Sequence, residues 1–276
     1  MVQETAGYQT IRKLTAGSDA EIFLVRRVSD GRSFVMKLAF PVKHSLDAIR
    51  TEHRLLSDLH HPNLLAAHDL VRVDGREGLI IDYFPGRSLR LVMHEPGRAL
   101  VRQLGYIVEQ IGDVLSYLHE RGICHGDVKP ENILVAPGAR VRLIDLSIAS
   151  AGIWGWLLPG KLAGTPKYMA PELIRSKRTT PATDLYALGV VCYEIIAGRA
   201  PFDGASNEEI LAHHVAMTPP RLREFRKGID SRIEALVMSA LAKDPTARPR
   251  YCRTFGRRFS RMLLSPLEAA EQLGMA

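Results

Sequence analysis

Within the stretch His125-Gly126-Asp127-Val128-Lys129-Pro130-Glu131-Asn132, an Asp, a Lys and an Asn fall inside six residues. A carboxylate such as Asp127 can accept the proton of an attacking hydroxyl. The ammonium of Lys129, two residues on, can neutralise a phosphate oxygen. Asn132, five residues after the Asp, can bind a cation through its amide oxygen without adding charge. A second candidate ligand, Asp145, follows thirteen residues later, after the run Val141-Arg142-Leu143-Ile144. Together these groups suit metal-assisted chemistry on a phosphate with a hydroxyl as nucleophile.

The surrounding elements must hold these groups. Leu104, Ile107, Val108, Ile111, Leu115 and Leu118 recur at helical spacing and predict an amphipathic helix over 99–121, closed by Gly122. It leads directly into the loop. Ile133-Leu134-Val135 reads as a short buried strand behind it. Earlier in the chain, Glu21-Ile22-Phe23-Leu24-Val25 and Ser33-Phe34-Val35-Met36-Lys37-Leu38 are strand-like, with a turn at Ser29-Asp30-Gly31-Arg32. Residues 64–82 add two strands about a turn at Asp74-Gly75-Arg76. Leu46, Ile49, Leu56 and Leu59 give the intervening segment one apolar helical face, and it carries Glu52 fifteen residues after Lys37.

The order and spacing of these pieces resemble eukaryotic-type (Hanks-type) Ser/Thr protein kinase catalytic domains, in a form suggesting a bacterial member. The resemblance covers roughly residues 8 to 262. Its signatures are Phe34-Val35-Met36-Lys37, Glu52 with the exit His61-Pro62-Asn63, and the His-Gly-Asp loop. Asp145-Leu146-Ser147, Gly164-Thr165-Pro166-Lys167-Tyr168-Met169-Ala170-Pro171-Glu172, Asp184-Leu185-Tyr186-Ala187-Leu188-Gly189 and Asp244-Pro245-Thr246-Ala247-Arg248-Pro249 complete it.

The resemblance implies an α+β bilobal fold, with a small antiparallel-sheet lobe (1–83) and a larger, mainly helical one (84–276). It implies ATP and Mg²⁺, with Mn²⁺ as the alternative cation. Asp127 becomes the proton acceptor, and Lys129 stabilises the phosphoryl group in transit. Lys37, paired with Glu52, holds the α- and β-phosphates. Asn132 and Asp145 become the metal ligands. Leu14, Gly17, Ile22, Val35, Ile81 and Leu134 would surround the nucleotide, with backbone groups of Asp82 and Phe84 at the adenine edge. Thr165 supports the catalytic Asp, and Glu131, with Glu194, is placed to read a basic residue before the acceptor. Arg248 pairs with Glu172, and Asp184 opens a long buried helix.

Several positions depart from the family pattern. Of three glycines expected in the nucleotide loop only Gly17 is present, with Thr15 and Ala20 in the other two places. Val35 stands where Ala is usual, and Ser147 where Gly is usual. Gly126 replaces an Arg that would pair with an activation-loop phosphate, so activity is expected without phosphorylation there. The apolar segment Gly152–Pro159 holds both tryptophans, Trp154 and Trp156, and is expected to pack on its own domain or dock a partner.

Composition excludes other classes. A hydrophobic content of 46% with 24% charged residues is ordinary for a globular chain. No apolar run reaches the roughly 18 residues of a membrane span, and residues 1–5 lack the start of a secretory signal, which points to the cytoplasm. Cys124, Cys192 and Cys252 show no pairing or metal spacing and read as buried thiols. The net charge of +7 is concentrated in residues 221–261, which hold twelve Lys or Arg against four acids. Without interleaved aromatics this reads as a solvated helix face, and no nucleic acid is expected. The expected partner is a protein bearing a Ser or Thr acceptor, the chain itself included. Two rivals stand beside this reading: a pseudokinase scaffold, favoured by the depleted glycine loop, Gly126 and Ser147, and a small-molecule phosphotransferase of the antibiotic-kinase type, disfavoured by Ala170-Pro171-Glu172.

Overall fold

A computed structural model describes residues 4–17, 19–94, 99–146, 165–176 and 179–272, with the side chains of 4–5, 99–102, 176 and 264–272 left aside. Ser147, Trp154, Trp156 and Gly164 lie outside the described residues. The chain divides into two compact units. One runs to Pro85 and takes back the segment starting at Ile144; the other contains Gly86–Leu143 and the remainder.

The first unit is an antiparallel sheet of β1 (Glu4–Thr5), β2 (Tyr8–Ala16), β3 (Ala20–Arg27), β4 (Ser33–Ala39), β5 (Ala67–Val73) and β6 (Arg76–Asp82), in the order β1-β2-β3-β4-β6-β5. The strand-forming runs seen in the sequence fall on β3, β4 and β6. The turn at Asp74-Gly75 has both residues at positive φ, 49° and 79°. That is the geometry a two-residue hairpin needs and the reason Asp-Gly sits there.

Because side chains alternate along a strand, the sheet sorts them by face. Val25, Phe34, Met36, Leu38 and Ile80 join Tyr8 and Val73 in a buried core on one face. The register pairs Ile22 with Lys37, Leu24 with Val35, and Val35 with Ile81, so these five residues share the opposite face. Helix α1 (Lys43–Asp58) packs on β4, β5 and β6. Its buried stripe is Ser45, Ile49, Glu52 and Leu56. A carboxylate in the middle of such a stripe requires a partner, since a buried unpaired charge is strongly disfavoured.

The second unit begins with β7 (Arg87–Ser88), α2 (Leu89–Met93) and α3 (Ala99–His119), then β8 (Ile133–Ala136) and β9 (Arg140–Leu143); β7, β8 and β9 form a small antiparallel sheet. Helices α4 (Pro171–Ser176), α5 (Pro181–Ala197), α6 (Asn207–Ala216), α7 (Leu222–Phe225), α8 (Ser231–Ala240) and α9 (Cys252–Gln272) follow. Every residue of α5 from Thr183 to Ile196 is buried. The helix starts three residues before Asp184, because Thr180 and Thr183 cap each other's backbone and Pro181 occupies the first turn.

Two glycines allow α3 and α9 to cross at backbone contact. A Cβ on Gly112 would lie 2.4 Å from the Cys252 carbonyl oxygen, and one on Gly256 would lie 2.8 Å from that of Val108. Arg248 forms a bidentate pair with Glu172, at 2.7 and 2.8 Å, and its side chain is fully enclosed.

The basic segment is largely solvated, as its composition suggests: nine of its twelve Lys and Arg are exposed, and several of the twelve are paired with acids. Arg223 pairs with Glu234 at 2.8 Å, Arg232 with Asp230 at 2.6 Å, and Arg253 with Asp113 at 2.6 Å and Glu120 at 2.7 Å. Cys192 and Cys252 are buried as expected, but Cys124 is only half-buried, because it sits in the loop that leaves α3. Among the described residues, no helix is long and apolar enough to cross a membrane.

Candidate active site

In the first unit the extended geometry of β4 carries Lys37 onto the same face as Val35. Its ammonium lies 2.5 Å from Glu52 Oε2 and 3.3 Å from Asp145 Oδ1. The side chains of Lys37 and Glu52 are 15% and 2% exposed. Burial works against the charge on Lys37, but the two carboxylates outweigh it and hold its pKa above the ordinary lysine value. The backbone N–H of Leu146 also donates to Glu52. Asp145 adopts a left-handed φ of 71°, a conformation tolerated by Asp more readily than by most non-glycine residues.

Of the other residues expected around a nucleotide in this unit, Ile22, Val35 and Ile81 share one face of the sheet. Leu14, Ile22 and Val35 are half-buried, whereas Ile81 and Phe84 are buried. Asp82 is committed locally: its N–H donates to Ala66 O at 3.0 Å, and its carboxylate accepts from Ala66 N at 3.2 Å and lies 2.7 Å from His68 Nε2. Gly17 lies outside the left-handed region, and its N–H donates to Ala20 O at 2.8 Å. Neither its φ nor its crowding requires a glycine in this conformation. Leu134, on β8 of the second unit, is half-buried.

In the second unit the loop after α3 is folded tightly around Asp127. Lys129 Nζ is 2.6 Å from Asp127 Oδ2. Asn132 Nδ2 donates to the Asp127 carbonyl at 2.9 Å and to its Oδ2 at 3.0 Å. Neither bond uses the amide oxygen of Asn132, the atom a cation would take. Asp127, Gly126, Thr165, Tyr168 and Met169 line one small pocket with the start of α5, so Thr165 and Asp127 are brought together. Gly126 has φ 78°, which glycine adopts without steric cost.

The residue that shapes this loop is Asp184, whose role in holding it is not evident from its position at the head of a helix. Its carboxylate accepts from His125 N at 2.8 Å and Gly126 N at 2.8 Å, and it lies 2.7 Å from His119 Nε2. Burial opposes its charge, but the bond to His119, the nearby His125 and the Gly126 N–H prevail, and its pKa lies below the usual carboxylate range. His119, Cys124 and Asp184 bring ligand-capable atoms within 4.8 Å of one another. Both oxygens of Asp184 already serve as acceptors, and burial with the Asp184 charge pushes the Cys124 thiol up to about 12. The group is therefore a brace for the loop rather than a set of ligands. The oxygen donors of Asn132 and Asp145 are of the hard type that Mg²⁺ or Mn²⁺ prefers.

A second network is also silent in the sequence. Arg90, from α2, donates through Nε to Glu131 at 2.7 Å and through Nη1 to Glu194 at 2.8 Å. Its Nη2 bonds the Tyr168 hydroxyl, which in turn donates to Glu194 at 2.5 Å. Glu131 and Glu194 are thus brought together, but around an arginine of the chain itself.

These features coincide with the comparisons to known proteins. The chain is 29% identical over 246 residues to the serine/threonine-protein kinase PrkC of Bacillus subtilis, covering 87% of this chain and 38% of that protein. It is 30% identical over 261 residues to the serine/threonine-protein kinase pkn2 of Myxococcus xanthus, covering 88% and 31%. To the serine/threonine-protein kinase PknA of Mycobacterium tuberculosis it is 32% identical over 211 residues, covering 74% and 48%. The chain therefore spans less than half the length of these relatives. The family model for the protein kinase domain matches residues 8–259, and the chain belongs to the protein kinase domain family.

Proposed function

We propose that this chain transfers the γ-phosphoryl group of ATP to Ser or Thr hydroxyls of proteins, itself included, in the cytoplasm. The observation that carries the reading is the Asp127 carboxylate held by Lys129 and Asn132 in a pocket shared with Thr165. Asp127 orients the acceptor hydroxyl and takes its proton. Lys129, already beside that carboxylate, stabilises the phosphoryl group in transit. Lys37, kept charged by Glu52 and Asp145, binds the α- and β-phosphates. Asn132 and Asp145 would hold Mg²⁺ or Mn²⁺, which neutralises phosphate charge. The apolar face of Ile22, Val35 and Ile81, with Leu14 and Leu134, receives the adenine, and backbone groups of Asp82 and Phe84 bond its edge. Thr165 steadies Asp127. The boundary between the nucleotide-binding and the mainly helical part is taken at residues 83–84.

Turnover in this reading does not depend on activation-loop phosphorylation. Gly126 carries no side chain to receive a phosphate, and Asp184 already fixes the loop through two backbone N–H groups. A second reading, a scaffold without phosphotransfer, is supported by the N–H of Gly17 being spent on Ala20 rather than kept for phosphate. The test is transfer of labelled γ-phosphate to a generic protein, with aminoglycoside and choline as rival acceptors, comparing wild type with Asp127→Ala. Label on protein, reduced about 10²–10⁴-fold in the variant, is expected. No label together with no nucleotide-induced thermal shift defeats the kinase reading, and label on the small acceptors alone favours the antibiotic-kinase type.

A further inference from the structure

The first three turns of helix α9 carry charge of one sign on their outer flank. Thr254, Arg257, Arg258 and Arg261 are exposed and fall at i, i+3, i+4 and i+7, which is one face of an α-helix. Cys252, Phe255, Gly256 and Phe259 are buried on the other side. Arg250 and Tyr251, immediately ahead of the helix, are exposed too, and the Arg250 guanidinium lies 5.2 Å from the Tyr251 ring centre. From Tyr251 to Arg261 the flank is about 15 Å long.

The nearby acids do not neutralise this flank. Asp113 and Glu120 of α3 are held by Arg253, at 2.6 and 2.7 Å. Among the described residues, Arg257, Arg258 and Arg261 form no ion pair with an acid. Like charges three and four residues apart on a helix repel one another, a cost that an anionic partner would relieve. The chemistry of the flank narrows the partner. Tyr251 is the one large apolar side chain exposed between residues 250 and 261, so the flank lacks the apolar centre of a specific protein interface. It also lacks the succession of exposed rings on which bases stack. What remains is a row of cations with a tyrosine at one end, and tyrosine is the kind of amphipathic ring that settles at the level of lipid headgroups. Because Phe255 and Phe259 are already buried, the helix has no apolar stripe left to insert, and the contact stays at the surface.

We propose that the flank formed by Arg250, Tyr251, Arg257, Arg258 and Arg261 is an electrostatic docking surface for an anionic lipid bilayer. The contact is peripheral, is made by charge rather than by insertion, and does not depend on phosphoryl transfer.

Co-sedimentation of the chain with vesicles of equal parts phosphatidylglycerol and phosphatidylcholine reads the contact. Wild type is expected to bind at about 0.1 M salt and to be released at about 1 M, where screening shortens the reach of charge from about 10 Å to about 3 Å. Vesicles of phosphatidylcholine alone should not retain it. Each basic residue at such a surface is worth about fivefold in affinity, so Arg257→Gln, Arg258→Gln and Arg261→Gln together should weaken binding about 100-fold. Arg12→Gln, Arg26→Gln and Arg54→Gln remove the same charge from exposed positions of the first unit, and together they should change binding less than about threefold. If the α9 triple variant does not fold, as read by its melting transition, the three single variants replace it, each with about a fivefold loss expected. Equal weakening by the two triple variants, unchanged binding of the folded α9 variant, retention at about 1 M salt, or no binding of wild type overturns the proposal. Tighter binding to a single-stranded oligonucleotide or to polyglutamate than to the vesicles, lost in the α9 variant, also overturns it, because the flank then serves nucleic acid or an acidic protein.

Discussion

Two charged clusters in this chain, each inside its own unit, are held by opposite means. Lys37, Glu52 and Asp145 come from a strand, a helix and a distant return of the chain, and they meet chiefly through side-chain charge, with the Leu146 N–H donating to Glu52. Asp127, Lys129 and Asn132 come from one loop, and backbone hydrogen bonds to Asp184 set its path. The first cluster is therefore tuned by electrostatics and the second by backbone geometry. Losing one member should show differently in the two.

The largest effect is expected where the backbone brace is removed. Asp184→Ala leaves the N–H groups of His125 and Gly126 without their buried acceptor and His119 without its partner. A loss of about 3–5 kcal/mol in folding free energy is expected, with activity falling alongside, as read by denaturant unfolding and a phosphate-transfer assay. Glu52→Gln should separate the two readouts. Lys37 keeps Asp145, so stability should fall by only about 1 kcal/mol while kcat/KM drops about 10- to 100-fold through a misplaced ammonium. A variant that lost stability and activity in the Asp184→Ala proportion would break the comparison.

Gly126→Arg comes next. The side chain must sit at φ 78°, at a strain of about 1–3 kcal/mol measurable as a lower Tm. Activity of the wild type should survive phosphatase treatment.

The smallest effect sharpens the electrostatic half of the comparison. Lys243 is a second partly buried ammonium, but it bonds the His214 carbonyl at 2.7 Å and lies 4.3 Å from the Phe202 ring centre. Burial first, then Arg248 and Arg175, lower its pKa to about 8, the reverse of Lys37. Between that value and the unfolded pKa of about 10.4, the unfolded chain binds the proton that the folded chain has lost. Stability should therefore rise with pH across that window, and Lys243→Met should remove the rise.

The Asp127 loop was legible because its chemistry lies within six residues, and β3, β4 and α1 because periodicity marks them. The Lys37–Glu52 partnership rested on spacing matched to a family, since no local signal joins a strand lysine to a helix acid. Arg90 was invisible because its partners lie 41, 78 and 104 residues away, and only the folded second unit brings them together. The function of Asp184 was hidden for the same reason. Helix α5 begins at Pro181, ahead of Asp184, because its start is set by the Thr180–Thr183 cap rather than by apolar periodicity.

The glycine crossing of α3 and α9 has one more result. Without side chains between the two backbones, α9 cannot turn about its own axis: a step of about 100° would drive a bulkier neighbour of Gly256 into the Val108 carbonyl. The azimuth thus frozen points Phe255 and Phe259 inward and leaves Arg257, Arg258 and Arg261 facing water. The location of that positive ridge on the second unit is dictated by two hydrogen atoms standing where methyl groups will not fit.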